Sequence, residues 1–343
     1  DHIVLNYLGY SLIDRDLYIS TPIIIGTVPF MTAMSMVKLA VELQPNNIAY
    51  LDSLAWGYYK IGEYLKAKEI MERVIKRIED EPNNIDPLLY EHYADILVKV
   101  GDLNNGYKNY FLSLRYGSKN IDQIKSKAIQ LLPYLDKDFL LNNLMINLGA
   151  KISFSFSSKI DLSYKKFLFR KNLSYTSNGV SSIHPYKDYF SFLMLDPFYI
   201  PVLTFQSDDQ RYYFDLKMEN FLNKDVFENY VVSFLLGLKH YFLLRRVYEN
   251  KELVSRWKDG CFVFKDLIKE NDEIYFCVKD PFAFSRIIYK TDINLSIDFD
   301  GFRFYQKGDD IYYLPSSINL SLRDVRNRYN LDLSFAIKDY ELR

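Results

Sequence analysis

In the first part of the chain, apolar residues recur at three- and four-residue spacing around small ones. Leu54, Ala55 and Tyr58, followed by Gly62, Tyr64, Ala67, Met71 and Val74, predict two helices meeting across a glycine turn. The series returns as Tyr93, Ala94, Leu97, Gly101, Leu103, Gly106, Tyr110 and Leu114, with a constant offset of 39 residues from Ala55 to Ala94 and from Gly62 to Gly101. Upstream, Leu8, Gly9 and Leu12 open a further copy that closes with Ala33, Val37, Ala40 and Pro45, and Asn120 to Leu132 reads as a closing helix. Helical pairs recurring at a fixed period bury their apolar faces by stacking on one another.

Past Phe139 the period falls from 3.6 toward 2. Leu140 to Leu148 reads as a short amphipathic helix, after which Ile152, Phe154 and Phe156 alternate with Ser153, Ser155 and Ser157. Similar alternation places Ile293, Leu295, Ile297 and Phe299 against Asn294, Ser296 and Asp298, and Leu331, Leu333, Phe335 and Ile337 against Asp332 and Ser334. Such strands hide one face and wet the other. Between them, Phe227, Val231, Leu235 and Leu238 are spaced as on a helix, so one or two helices over Asp225 to Leu253 interrupt an antiparallel sheet of many strands. The pattern predicts an α+β chain of two domains: an all-α repeat solenoid over 1–134 and a β-domain over 135–343.

A length of 343 residues suits two separate cores. Lys plus Arg number 43 against 44 Asp plus Glu, which removes the electrostatic basis for sequence-independent nucleic-acid binding. An aromatic share of 17% with 13 Gly and 11 Pro excludes a disordered or low-complexity chain. The stretch from Leu17 to Val37 carries no charge and is long enough to span a bilayer, but Pro22, Gly26 and Pro29 among Ser and Thr predict a loop followed by a helix. The opening residues DHIVLNYLGYSLI contain neither Met nor a leader, so the chain reads as a mature or truncated product.

Candidate chemistry is sparse. No GxSxG, HExxH, GxxxxGK[ST] or post-strand GxGxxG motif occurs. His2, His92, His184 and His240 are scattered, and His92, beside Glu91, reads as a solvated or groove-lining residue. Asp208 with Asp209 and Asp309 with Asp310 fall at turns between strands. Cys261 and Cys277 lack metal-site spacing and flank FVFKDLIKENDEIYF, a hairpin turning near Lys269 to Asp272. They form either a disulfide in an oxidising compartment or two buried thiols. No catalytic residue, metal site or cofactor is expected.

The strings LNYLGYSL, AYLDSLAWGYYKIGEYLKA and YEHYADILVKVGDLNNGY resemble the tetratricopeptide repeats of bacterial envelope proteins. TPIIIGTVP is inserted between the helices of the first copy, and RIEDEPNNID lengthens the link between the next two. Further repeats are expected upstream of Asp1. Repeat geometry places Asn6, Tyr10, Asp52, Trp56, Tyr59, Glu91 and Asp95 on the concave face. Of these, Asp52, Trp56, Tyr59, Glu91 and Asp95 are expected to hold a peptide or loop of a protein partner, with an ordinary solvated surface as the alternative.

In the second domain, LGAKISFSF, FSFLMLDPFYIPVLTF, ENYVVSFLLGL, INLSIDFDGFRFY and YNLDLSFAIKDYEL follow one another in an order that resembles the LolA/LolB-like lipoprotein carrier and insertase family. The resemblance implies a curved antiparallel half-barrel with covering helices and an apolar cavity for acyl chains. Ile152, Phe154, Phe156, Leu295, Ile297, Leu333 and Phe335 are the expected wall. The DPFYIP loop would present Phe198, Tyr199 and Ile200 to a membrane; the insertase branch carries an apolar residue followed by Gly there, whereas Tyr199 follows Phe198 here. An acyl chain of about sixteen carbons costs on the order of 12 kcal/mol to leave in water at ~0.8 kcal/mol per CH₂, so a carrier needs an apolar container. The function expected is that of a non-enzymatic outer-membrane lipoprotein facing the periplasm, anchored through an upstream cysteine, which receives or inserts lipoproteins or another lipid. The alternative is a scaffold for envelope, secretion or pilus assembly with a packed β-domain.

Overall fold

The computed structural model describes residues 1–25, 27–80, 85–145, 151–166, 169–184, 189–208, 211–217, 231–242, 244, 255–265, 273–290, 293–307, 310–324 and 329–342. Two compact units divide the chain, Asp1–Asp136 and Lys137–Arg343.

The first unit contains α1 (His2–Asp14), α2 (Ala33–Leu43), α3 (Ile48–Lys60), α4 (Tyr64–Asp80), α5 (Pro87–Lys99), α6 (Leu103–Arg115) and α7 (Ile121–Leu131). Local chemistry sets their ends. Thr32 and Ser35 form a reciprocal capping box at the start of α2, Asn47 caps α3, and Asp86 caps α5 with Pro87 behind it. Gly62 and Gly101 end α3 and α5 at φ of +83° and +86°, the left-handed conformation that lets the chain turn back into the next helix. The apolar stripe of α4, formed by Ala67, Met71, Val74 and Ile78, packs with Leu51 and Ala55 of α3 and Leu89 and Tyr90 of α5. The uncharged stretch after α1 is the expected loop and helix: a short hairpin, β1 (Ile24–Ile25) with β2 (Val28–Pro29), and then α2.

The second unit opens with α8 (Lys137–Met145); residues 146–148 of that expected helix lie outside the described residues. Five strands then meander outward: β3 (Ile152–Lys166), β4 (Phe169–His184), β5 (Tyr189–Leu195), β6 (Pro201–Ser207) and β7 (Tyr212–Leu216). A second wing comprises β8 (Ser255–Lys258), β9 (Cys261–Lys265), β10 (Glu273–Cys277), β11 (Arg286–Lys290), β12 (Ile293–Asp300) and, after the separate hairpin of β13 (Arg303–Lys307) and β14 (Asp310–Leu314), β15 (Ser317–Asp324). The strand β16 (Tyr329–Leu342) pairs with β15 on one side and β3 on the other, joining both wings into a 12-stranded antiparallel sheet. The sheet is not closed, because β7 and β8 end it without pairing to each other.

Strand alternation sends alternate side chains to one apolar face, as in β5, where Phe190, Phe192 and Met194 are buried between half-buried neighbours. A helix over residues 231–242 covers part of this face; Phe227 and Leu253, which the longer expected helices included, lie outside the described residues. It packs close because position 237 is glycine: a Cβ there would lie 2.6 Å from the Tyr289 hydroxyl and 2.9 Å from Cδ1 of Ile297. Cys261 and Cys277, directly opposite in the β9–β10 register, form a disulfide, which resolves the alternatives left by their spacing; the turn near Lys269 to Asp272 is outside the described residues.

Candidate functional site

All seven expected wall residues, Ile152, Phe154, Phe156, Leu295, Ile297, Leu333 and Phe335, lie in the interior, none more than 5% exposed. Among the described residues their side chains pack together rather than around an open apolar cavity, and Phe335 and Phe154 otherwise border only polar surface hollows. Phe156 stacks on Phe192 at 4.9 Å between centroids and meets the edge of Phe335 at 5.3 Å. The 231–242 helix fills the space in front of them, with Phe234 stacked on Phe335 at 5.5 Å, Phe242 5.8 Å from Phe154, and Tyr241 3.8 Å from Phe299. The apolar void left among Phe192, Met194, Leu235, Leu333 and Phe335 measures about 20 Å³, room for about one water-sized group. Alternation specifies which side chains face inward and is silent on what meets them there; among the described residues an apolar helix does, and a packed aromatic core stands where an open cavity was expected. A shallow hollow of about 630 Å³ lies on the opposite polar face, beside Ser157, Thr176, Asn178, Asn319 and Ser334.

A polar contact between described residues ties the helix to the sheet. The buried Lys239 ammonium donates to Ser207 Oγ at 3.1 Å and to the Asp208 carbonyl at 2.8 Å, at the end of β6. Apolar periodicity passes over this lysine, and nothing in its spacing signals the contact.

Phe198, Tyr199 and Ile200 are 82, 76 and 57% exposed, forming the turn between β5 and β6. The aromatic rings do not fold back onto the sheet. A carboxylate clasp holds the turn: Asp196 Oδ1 accepts from the backbone N–H of Phe198 at 2.8 Å and of Ile200 at 2.9 Å, while the Tyr199 N–H donates to the Asp196 carbonyl at 3.0 Å. Pro197 and Pro201 fix φ on either side. Tyr199 sits at φ +63°, the conformation that glycine adopts without strain.

The repeat unit departs from its expected open groove. Asp52, Trp56 and Glu91 are buried, Tyr59 and Asp95 partly so. His92, expected at a solvated or groove-lining position, is buried at the centre of this cluster. Its Nδ1 lies 3.0 Å from Asp52 Oδ1, and its ring stacks on Trp56 at 4.0 Å, with Tyr59 also stacked on the indole at 4.6 Å. Burial pulls the His92 pKa down, but the Asp52 carboxylate, through its charge and hydrogen bond, with Asp95 and Glu91 adding charge, brings it above 6.5 overall. The Trp56 indole N–H donates to Asp14 at 3.3 Å. From α7, Lys127 donates to Glu91 at 3.1 Å and to Asp95 at 2.7 Å, and Asp95 also accepts from the Tyr110 hydroxyl. Burial, then the charge of Asp95, pushes the Tyr59 phenol up to about 12. The proposed partner anchors are thus largely occupied by one another and by Lys127. Asn6 and Tyr10 are half-buried on the same unit.

Among the described residues no group of three or more His, Cys, Asp or Glu could hold a metal, and no helix is long and apolar enough to cross a membrane. No family model and no curated protein matches the chain. Among solved structures, a DUF1329 family protein from Desulfovibrio piger aligns with 66% of this chain and 94% of its own at 11% identity and a TM-score of 0.33. The TPR2AB domain of yeast Sti1, solved with a pHSP90 complex, aligns with 40% of this chain at 16% identity and a TM-score of 0.29; the chain spans 52% of that structure's length. The Pseudomonas aeruginosa MucA/MucB complex aligns with 59% of this chain and 93% of its own at 9% identity and a TM-score of 0.11.

Proposed function

We propose that the chain is a non-enzymatic, lipid-handling protein of the bacterial envelope, placed on the periplasmic face of the outer membrane, whose β-unit takes up an acyl chain and whose Phe198–Ile200 turn enters the lipid. The observation that carries this reading is the turn itself. Three large apolar side chains are held in water by a carboxylate clasp and two prolines, an arrangement that gains nothing in solution. The disulfide supports an oxidising compartment. The apolar sheet face supports the acyl ligand, which would enter where the 231–242 helix meets Phe192 and Phe335 and displace the helix from them. Passing a chain from one apolar surroundings to another is nearly balanced, so transfer of this kind requires no nucleotide.

Burying Phe198 in a bilayer contributes roughly 1.5–3 kcal/mol, enough to hold the turn at a lipid surface while a ligand leaves but too little to anchor the protein. Phe198→Glu is expected to leave folding and lipid acceptance intact and to slow release into liposomes about tenfold or more. Native mass spectrometry of the purified protein is expected to detect co-purified lipid. Release at the wild-type rate by the variant, or purified protein that neither carries nor accepts lipid, sinks the reading. The packed aromatic core favours a second reading, in which the β-unit is a spacer and the repeat unit docks a protein partner in envelope assembly; that outcome would leave this one standing.

A further inference from the structure

The insertion in the first repeat forms a second exposed apolar projection, on a different unit from the Phe198 turn. From Leu17 to Met31 no side chain carries a charge, and Leu17, Tyr18, Ile24, Ile25 and Phe30 are each 45 to 61% exposed. The base of the projection is fixed. Ile19 packs against the cluster of Ile13, Ala33 and Val37, and the Ala33 and Met34 N–H groups donate to the carbonyls of Tyr18 and Ile19. Asp16 and Tyr18, at φ +57° and +51°, turn the chain out of the helical stack. Beyond them the backbone pairs with itself: Ile24 is opposite Pro29, Ile25 opposite Val28, and the Phe30 N–H donates to the Ile23 carbonyl at 2.7 Å.

We propose that this β1–β2 hairpin inserts into a lipid surface. Its paired backbone and uncharged side chains lower the two main costs of entering an apolar medium, unsatisfied peptide groups and buried charge. A protein partner or second copy is a poorer fit, because an ordinary interface covers about 800 Å² per partner inside a polar rim. A hairpin of two-residue strands presents far less than that and carries no charge of its own, whereas lipid insertion needs only a few apolar side chains with hydroxyls at the headgroup level. Ser20, Thr21 and Tyr18, toward the base of the projection, supply those hydroxyls. The build repeats that of the Phe198 turn, with Pro22 and Pro29 where the turn has Pro197 and Pro201. The proposal rests on the membrane-surface reading above and adds a contact from the repeat unit.

Because both native cysteines are disulfide-bonded, one introduced thiol can be labelled selectively in the full chain. Thr27→Cys, Phe198→Cys and, as an exposed control on α4, Leu65→Cys would each carry a polarity-sensitive fluorophore. Each would be mixed with vesicles of phosphatidylethanolamine and phosphatidylglycerol. The expected result is a blue shift at positions 27 and 198, quenched by brominated lipid, with none at 65. A shift at 198 without one at 27 overturns the hairpin proposal and leaves the proposed function intact; no shift at either position removes both. A shift at 27 that grows with protein concentration in the absence of vesicles overturns the proposal in favour of a second copy. In parallel, Ile24→Asp with Ile25→Asp is expected to reduce vesicle partitioning at least about tenfold while the Trp56 emission of the folded repeat unit is unchanged. Undiminished partitioning counts against insertion.

Discussion

Each unit has a buried face, and the two faces are closed by opposite means. The repeat unit closes its inner face with charge and rings together, His92 against Asp52 and Trp56, and Lys127 between Glu91 and Asp95. The β-unit closes its apolar face with uncharged aromatics, Phe156, Phe192, Phe234 and Phe335 in mutual contact. A buried ion pair depends on both partners and on protonation, while an aromatic cluster depends on shape and volume. The first unit should therefore respond to pH where the second responds to cavity formation.

The largest effect is expected in the β-unit. Phe335→Ala removes a ring that touches three others and should cost about 3–5 kcal/mol. Each unit has one tryptophan, Trp56 in the first and Trp257 in the second, so Trp→Phe variants let denaturant transitions be followed unit by unit. Loss should appear at Trp257 alone; an equal loss at Trp56 would show that the units do not unfold separately.

Next in size is the buried pair. Asp52→Asn leaves His92 enclosed without its counter-charge and should cost the repeat unit about 2–3 kcal/mol near pH 6. The sign in pH follows from a folded-state pKa raised above 6.5. The stabilisation is fully present below the unfolded-state value of about 6.5 and is lost as pH rises through the folded-state value. Denaturant midpoints at Trp56 should decline across that window in the wild type and lose or reverse that decline in the variant, and a wild-type slope retained by Asp52→Asn rules out the pair as its source.

The smallest effect concerns the exposed turn. Tyr199→Gly relieves a left-handed backbone conformation and should leave the β-unit as stable or up to about 1 kcal/mol more stable. A clear loss of stability would mean that the Tyr199 ring contributes packing, against its exposure.

The helical repeats were legible because small residues recur 39 residues later, Ala55 with Ala94 inside the helices and Gly62 with Gly101 at the turns that end them. Strands such as the one bearing Ile152, Phe154 and Phe156 were legible from alternation. What meets those side chains was not: Phe234 and Phe242 come from a distant segment whose apolar spacing would suit a cavity lid or a core filler equally. The cluster around His92 was hidden for a similar reason. Asp52 and Trp56 on α3, His92 on α5 and Lys127 on α7 come from three helices, and no local pattern records that they converge. Asp196 was visible beside Pro197, but its role as a clasp depends on backbone geometry that composition does not encode.

The position of β16 governs the order in which the sheet can be completed. With β16 absent, the remaining pairings describe two separate sheets, β3 to β7 and β8 to β12 with β15, each with an unpaired edge where β16 would lie. Residue 342 lies opposite residue 152 in the finished register. During synthesis, one long edge waits through nearly the whole β-unit for its neighbour, a delay that favours slow assembly and leaves that edge open to mispairing.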